Sequence, residues 1–357
     1  MTEAFLKPIF NAFDHGGRWL AFKTLGSGHI NDTFLVLTDV KPYFVLQRIN
    51  KDVFNNVPAL VANKVAVSQH LGAKLKKGSD KKWQQQVLSF VPSKQGLFYF
   101  QDNLGQFWNL MRYIDGSVTY ETVPNEDIAY EAGKSVGKFL RLTEDFDAQQ
   151  LVAVLPRFHD MAYRFSQFEA ALERAAQERL IASRECVEKV STLKAEMHQL
   201  QTLKDNGELK IRVTHNDTKI SNVLFNQNGE GLCVIDTDTV MPGLVHYDFG
   251  DAIRTICNTA KEDETDLNKV TFNLKYYKAY KKGFLEQMAT SLSPTELQCL
   301  PLGAKTMVFI MALRFLTDYL NEDVYYKVQY EAHNLDRAKN QLKLLDSLVT
   351  QLCSQGV

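Results

Sequence analysis

Apolar and polar positions alternate in three early segments, WLAFKTL (Trp19 to Leu25), DTFLVLT (Asp32 to Thr38) and YFVLQRI (Tyr43 to Ile49). Their aromatic and β-branched content and period-two spacing predict strands. GSGHIN separates the first pair and DVKP the second. From Pro58 to Leu71 the spacing changes to that of a helix, with Leu60, Val61, Val65 and Leu71 on one side. WQQQVLSF, LFYF and FWNLMRYI then predict further strands. The first hundred or so residues thus read as a mostly antiparallel sheet carrying one helix.

The pattern turns helical after Asp115-Gly116. NEDIAYEAGKSVGKFLRLTEDF opens with an Asn cap candidate and an acidic first turn. Phe158 to Lys204 is rich in Ala, Glu, Leu, Arg and Gln, and its length suits two helices. LKIRV, NVLF and LCVID predict short strands, and helices resume at Tyr247. The expected class is α+β: a small β-rich lobe over residues 1–112 and a large, mainly helical lobe over 113–357.

A length of 357 residues suits two domains, and 45% hydrophobic residues suit a sizeable core. The net charge of -1 gives the whole molecule no pull toward nucleic acid or an anionic membrane. Lys74, Lys76, Lys77, Lys81 and Lys82 form a local basic patch that reads as a solvated edge. The five cysteines are scattered and contain no CxxC pair, which argues against a disulfide framework or a zinc site. The N-terminus lacks a basic start followed by an apolar core. The apolar run from Met307 to Leu313 stops at Arg314, far short of a bilayer span. These features lead to the expectation of a soluble cytoplasmic protein, a monomer or weak dimer with a small-molecule substrate.

The candidate chemistry lies in THNDTKISNVLF (Thr214 to Phe225) and VIDTDTVMPG (Val234 to Gly243). A carboxylate at Asp217, on a loop between two strands, suits acceptance of a hydroxyl proton. Asn222 stands five residues on, and Asp236 ends the next apolar run 14 positions after it. One Asn and one Asp offer Mg²⁺ two oxygen ligands and leave its other positions to ATP phosphates and water. The spacing is that of a kinase catalytic loop followed by a metal-binding Asp. Lys219 stands where it would touch the transferring phosphoryl group.

Upstream, Gly26, Ser27, Gly28, Asn31 and Thr33 join two strands, where glycines let backbone N–H groups approach phosphates. VLQR places Arg48 where kinases carry the lysine that contacts the α- and β-phosphates. Kinases pair that cation with a Glu on the following helix, yet Val53 to Ser79 contains no acidic residue. Backbone from Met111 to Tyr113, in NLMRYIDG, is the candidate adenine-binding hinge. Asp238 is either a metal ligand or a group supporting one. Asp248 and Asp251 flank Gly250 at the start of a helix, where acids also serve as caps; Asp248 is expected to brace the catalytic loop, and Asp160 to cap a helix.

Together HNDTKISN, VIDTDTVMPG and YDFGDAIR resemble the aminoglycoside phosphotransferase superfamily, which has the kinase two-lobe fold without Phe-Gly after the metal-binding Asp. Here Thr237-Asp238 stands in that place. GSGHINDTF, LQRIN, LPRFHDM and ALRFLTDYLNEDVYY extend the resemblance to the N-acetylhexosamine 1-kinase subfamily, over about residues 25 to 326. The resemblance implies ATP- and Mg²⁺-dependent phosphorylation of the anomeric hydroxyl of an N-acetylhexosamine. It makes Asp217 the base, Asn222 and Asp236 the metal ligands, and His29, Arg314 and Tyr325 sugar contacts. From the residues alone His29 also fits a solvated loop, Arg314 a partner for an acid such as Asp318, and Tyr325 a packing role. A catalytically silent nucleotide- or sugar-binding module, a kinase of another acceptor, and a metallohydrolase fit parts of the same pattern.

Overall fold

The computed structural model describes residues 1–25 and 30–354. Helix α1 (Glu3–Phe10) precedes strands β1 (Trp19–Thr24), β2 (Asp32–Thr38) and β3 (Phe44–Ile49). Helix α2 (Val57–Lys77) follows, then β4 (Phe90–Val91), β5 (Phe100–Gln101) and β6 (Phe107–Arg112). The strands form one antiparallel sheet in the order β1-β2-β3-β6-β4, with β5 also on β6. One face carries Phe34, Val36, Phe44, Leu46, Trp108 and Leu110, covered by Leu6, Ile9 and Phe10 of α1. The other presents Ile49 and Phe90 to Val57, Leu60, Val61 and Val65 of α2. Asn56 caps α2 by accepting the Ala59 N–H at 3.1 Å, and Lys74, Lys76 and Lys77 meet the negative end of its dipole.

Three expectations are corrected here. The N-terminal helix α1 falls in a segment read as strand-rich; it spans only two turns and contains Pro8, so its periodic signal is short. WQQQVLSF yields one turn of 3₁₀ helix, Trp83–Gln85, and a strand of two residues. The stretch from Phe158 to Lys204 holds three helices rather than two, Met161–Arg174, Gln177–Met197 and the start of Gln199–Asp205.

The C-terminal part continues with α3 (Glu126–Leu142), α4 (Met161–Arg174), α5 (Gln177–Met197) and α6 (Gln199–Asp205). Two small antiparallel pairs come next, formed by β7 (Arg212–Thr214), β8 (Val223–Phe225), β9 (Gly231–Val234) and β10 (Met241–Gly243). Strand β7 pairs with β10, and β8 with β9. Helices α7 (Val245–Ile256), α8 (Leu274–Met288), α9 (Pro294–Gln298), α10 (Leu300–Leu320) and α11 (His333–Cys353) complete the chain. Asn125 caps α3 and Asp160 caps α4, each accepting the N–H three residues on. Helix α10 is long and apolar enough to cross a membrane by length and composition, but 67% of that stretch is buried inside the fold. It packs against α4, α5, α7 and α11 as the central core helix.

The approach of α7 to α10 positions the site. A Cβ on Gly250 would lie 2.2 Å from the Gly303 carbonyl oxygen, and one on Gly303 would lie 2.7 Å from the His246 carbonyl oxygen. Only glycines permit this backbone contact, and it seats α7, with Asp248 and Asp251, beside the catalytic-loop candidate. Gly250→Ala therefore forces the two helices apart. The expected loss is roughly 1–3 kcal/mol of stability, measured by urea denaturation, together with a fall in activity. A variant with unchanged unfolding midpoint would refute the contact.

Candidate active site

The loop between β7 and β8 carries His215, Asn216, Asp217, Thr218 and Lys219, and then a 3₁₀ turn over Ile220–Asn222. Asn216 has φ 64, a left-handed conformation that Asn tolerates better than most residues. Its side-chain N–H groups bond Thr214 and the Thr239 carbonyl, which holds the turn. Helix α7 supplies the brace. The fully buried Asp248 carboxylate accepts the N–H of His215 and of Asn216, each at 2.7 Å. Asp251 accepts the Thr218 N–H at 2.9 Å and is itself paired with Arg254 at 3.0 Å. Burial pushes the Asp248 carboxyl up to about 6, against the pull of His215.

Asp217 emerges from this brace half-exposed. Its Oδ2 accepts Lys219 Nζ at 3.0 Å and Asn222 Nδ2 at 2.9 Å. Burial pushes its carboxyl up, but Lys219 and then His215 outweigh this and leave it below the ordinary Asp value. It is thus ionised at neutral pH and has lone pairs for a hydroxyl proton. Lys219 is raised, because Asp217 and Asp236 outweigh its desolvation. His215 Nε2 bonds the Ile235 carbonyl oxygen at 2.8 Å, and the Ile235 N–H donates to the Asn222 carbonyl at 2.8 Å. These bonds lock the loop to the β9 end that presents Asp236.

Asp236 has φ 59, so backbone strain turns it at the strand end. No described residue donates a hydrogen bond to its carboxylate. Desolvation, then the nearby Asp238 and Asp217, push that carboxyl up to about 7. Asn222 donates two hydrogen bonds through Nδ2, and its Oδ1 has no partner among the described residues. An unbonded carboxylate raised by like charges, beside an unbonded amide oxygen, fits a hard divalent cation. Two protein oxygens are too few for such an ion by themselves, so phosphate and water must supply the rest.

Arg48 is corrected. It lies directly across from Asp32 in the β2–β3 register and forms an ion pair with it, both side chains part-exposed. Lys64 of α2 is the buried cation instead, with a side chain only 1% exposed. It pairs with Asp238, which also accepts a hydrogen bond from Asn31 Nδ2. Gln47, the inward neighbour of Arg48, takes a further bond from Lys64 at 3.3 Å. Asn31 Oδ1 accepts the Asn50 N–H at 2.9 Å. The missing acid on α2 is thereby explained: the helix carries the cation, and the loop after β9 carries the acid. An isolated lysine inside the apolar run of α2 was the available signal.

The hinge expectation is corrected in part. The Tyr113 N–H already donates to the Tyr43 carbonyl at 2.8 Å, and Met111 sits inside the ladder opposite Val45 and Phe90. Thr33 lies on β2, and its carbonyl accepts the Leu25 N–H. Gly26, Ser27, Gly28 and His29 fall outside the described residues. Arg314 is on α10, with Phe158, Tyr326 and Tyr325 ring centres 5.1, 5.5 and 5.7 Å from its guanidinium carbon. Asp318 is not its partner; that carboxylate accepts the Tyr325 and Tyr326 N–H groups and Asn334 Nδ2. The Tyr325 side chain is 66% exposed.

Residues 21–269 match the phosphotransferase enzyme family. The fold is similar to an aminoglycoside phosphotransferase from Alicyclobacillus acidocaldarius, with TM-score 0.62 and 13% identity over 97% of this chain and 95% of that one. It is similar to the amicoumacin kinase hAmiN, solved with AMP-PNP, Ca²⁺ and Ami, with TM-score 0.60 and 12% identity over 97% and 94%. It is also similar to a choline kinase from Cryptosporidium parvum, with TM-score 0.55 and 15% identity over 94% and 90%. The chain belongs to the phosphotransferase enzyme family.

The two arginine and lysine assignments separate by mutation. Lys64→Met strands a buried Asp238 carboxylate, and the expected cost is roughly 3–5 kcal/mol. Arg48→Met removes a part-exposed pair, and its expected cost is at most about 1 kcal/mol. Equal losses in urea denaturation would reject the assignment.

Proposed function

We propose that this phosphotransferase is an ATP-dependent small-molecule kinase that phosphorylates the anomeric hydroxyl of an N-acetylhexosamine. The observation that carries the kinase reading is the ionised Asp217 carboxylate, held by Lys219 and Asn222 on a loop braced by Asp248 and facing Asp236. The nucleotide and divalent cation in the similar hAmiN structure support the same cofactor class. Residues 1–112 would then form the nucleotide-binding lobe and residues 113–357 the catalytic lobe.

In this reading Asp217 orients the acceptor hydroxyl and takes its proton as the oxygen bonds the γ-phosphorus and the bridging oxygen leaves with ADP. Lys219 lies within reach of the same point and neutralises charge on the transferred group. Asn222 and Asp236 would hold Mg²⁺, which would supply positive charge to neutralise the nucleotide phosphates. Asn31, through Asp238, ties the start of β2 to the loop that carries Asp236. The sugar reading rests on the sequence resemblance, supported by Arg314 lying without a carboxylate partner among the described residues.

Asp217→Asn should lower kcat by roughly 10²–10⁴ and leave nucleotide affinity within about threefold. Unchanged kcat would reject Asp217 as the base. The pH dependence follows from Asp236. Its raised value means that a proton occupies the carboxylate increasingly below about pH 7. Metal binding needs the ionised form, so Mg²⁺ affinity should fall as pH drops, approaching about tenfold per unit. A metal titration flat between pH 8 and pH 5.5 would contradict this.

A further inference from the structure

We infer that His159 and Arg164 complete, beside Arg314, an acceptor subsite that reads an electron-rich oxygen, an acyl-amide or carboxylate oxygen, and turns away an ammonium group. The inference rests on the acceptor reading above.

His159 is 8% exposed, and neither ring nitrogen has a hydrogen-bond partner among the described residues. Its ring is fixed instead by Phe158 at 4.4 Å and Tyr247 at 4.9 Å between centroids. Burial, then Arg314 and Arg164, holds its basicity well below the usual range. The ring is therefore neutral, with one N–H to give and one nitrogen to accept.

Arg164 donates to the Phe158 carbonyl at 2.8 and 3.1 Å and to Gln167 Oε1 at 2.8 Å. Burial, with Arg314 adding to it, brings its guanidinium down to about 10. Arg314 makes only a 3.6 Å contact with Met311 Sδ besides its three rings. Among the described residues, no carboxylate pairs with either guanidinium. Arg254, by contrast, is paired twice, with Asp251 and Glu262. The Tyr326 hydroxyl beside them is also buried without a partner.

Two sheltered positive charges, an imidazole and a phenol thus share one region with unspent donors. Aromatic faces offset part of the Arg314 charge but accept nothing at its N–H edges. The buried His159 nitrogens and Tyr326 hydroxyl have no partner among the described residues, a costly state beside two part-buried cations, which marks the cluster as completed by a ligand. A ligand oxygen bearing negative or partial negative charge completes it; an ammonium group meets repulsion from both guanidiniums. The charge of Arg254 also acts on His159, and Asp251 links Arg254 to the backbone of Thr218, next to Asp217.

The test compares four acceptors with ATP and Mg²⁺: a 2-acetamido sugar, its parent hexose, the 2-amino sugar and the hexuronic acid. Steady-state kinetics are paired with binding followed by thermal shift. The acyl or carboxylate sugar should exceed the amino sugar in kcat/KM by about tenfold or more. His159→Phe and Arg164→Met should lower kcat/KM for the preferred sugar roughly 10–100-fold, chiefly through KM. KM for ATP and turnover of the parent hexose should hold within about threefold, and Arg164→Lys should recover part of the loss. An equal loss for every acceptor, or an amino sugar used as well as the acyl sugar, overturns the subsite. Binding of the acyl or carboxylate sugar without phosphorylation upholds the subsite and defeats the kinase reading. Phosphorylation of the hexose or amino sugar without preference for the other two upholds the kinase reading and defeats the subsite. Absence of binding by the acyl and carboxylate sugars also defeats it.

Discussion

The pair of 2.7 Å hydrogen bonds from His215 and Asn216 to Asp248 is the constraint on which the site depends. A carboxylate wholly removed from water is tolerated only if donors replace its hydration. Here the donors are backbone N–H groups of the catalytic loop, so satisfying the acid and shaping the loop are one event. Asp251, three residues later on the same side of α7, repeats the device at Thr218. Gly250 between them must face α10, since a side chain there would meet the Gly303 backbone. The spacing Asp-Phe-Gly-Asp thus encodes a helix with its acids toward the loop and its glycine toward the core helix.

Charge is distributed unequally around Asp217. On one side Asp236 and Asp238 stand two residues apart, and the ion pair of Lys64 is with Asp238. Among the described residues no hydrogen-bond donor reaches the Asp236 carboxylate, a condition that favours a divalent cation. Elsewhere lie Arg164, Arg254 and Arg314, of which, among the described residues, Arg254 alone has acidic partners. Asp217 therefore interacts with the metal-suited carboxylate of Asp236 and with the paired cation Arg254.

Much of this was legible because the chemistry is local. His215, Asp217, Lys219 and Asn222 share one short loop, and their roles depend on sequence separation that can be counted. The two-part architecture was equally plain in the shift from period two to helical spacing. Arg48 misled because a position one residue from an inward-facing site in a strand points to the other face. Gln47 faces Lys64, whereas Arg48 meets Asp32 across the strands. Lys64 and Asp238 are 174 positions apart, and no local pattern joins them. The absence of acids on α2 is visible in the sequence, and its meaning depends on the distant Asp238. His159 was hidden for a similar reason, since only the packed structure shows that both of its nitrogens lack partners.

The exchange of charge between helix and loop also alters what α2 does. In the expected arrangement an acid on the helix would steady a cation on the sheet. Here the helix delivers positive charge directly to the segment that ends in the metal-suited carboxylate. Asp238 raises Asp236, and Lys64 lowers it. With Lys64 in place the charge of Asp238 is largely answered, and Asp236 can ionise for a cation. Were α2 displaced, two carboxylates two residues apart would face each other with one fewer neutralising group, and a proton would compete more strongly for Asp236. Docking of α2 and the readiness of the metal-suited carboxylate are therefore thermodynamically linked: whatever binds a cation at Asp236 also favours the seated position of the helix, by the same free energy.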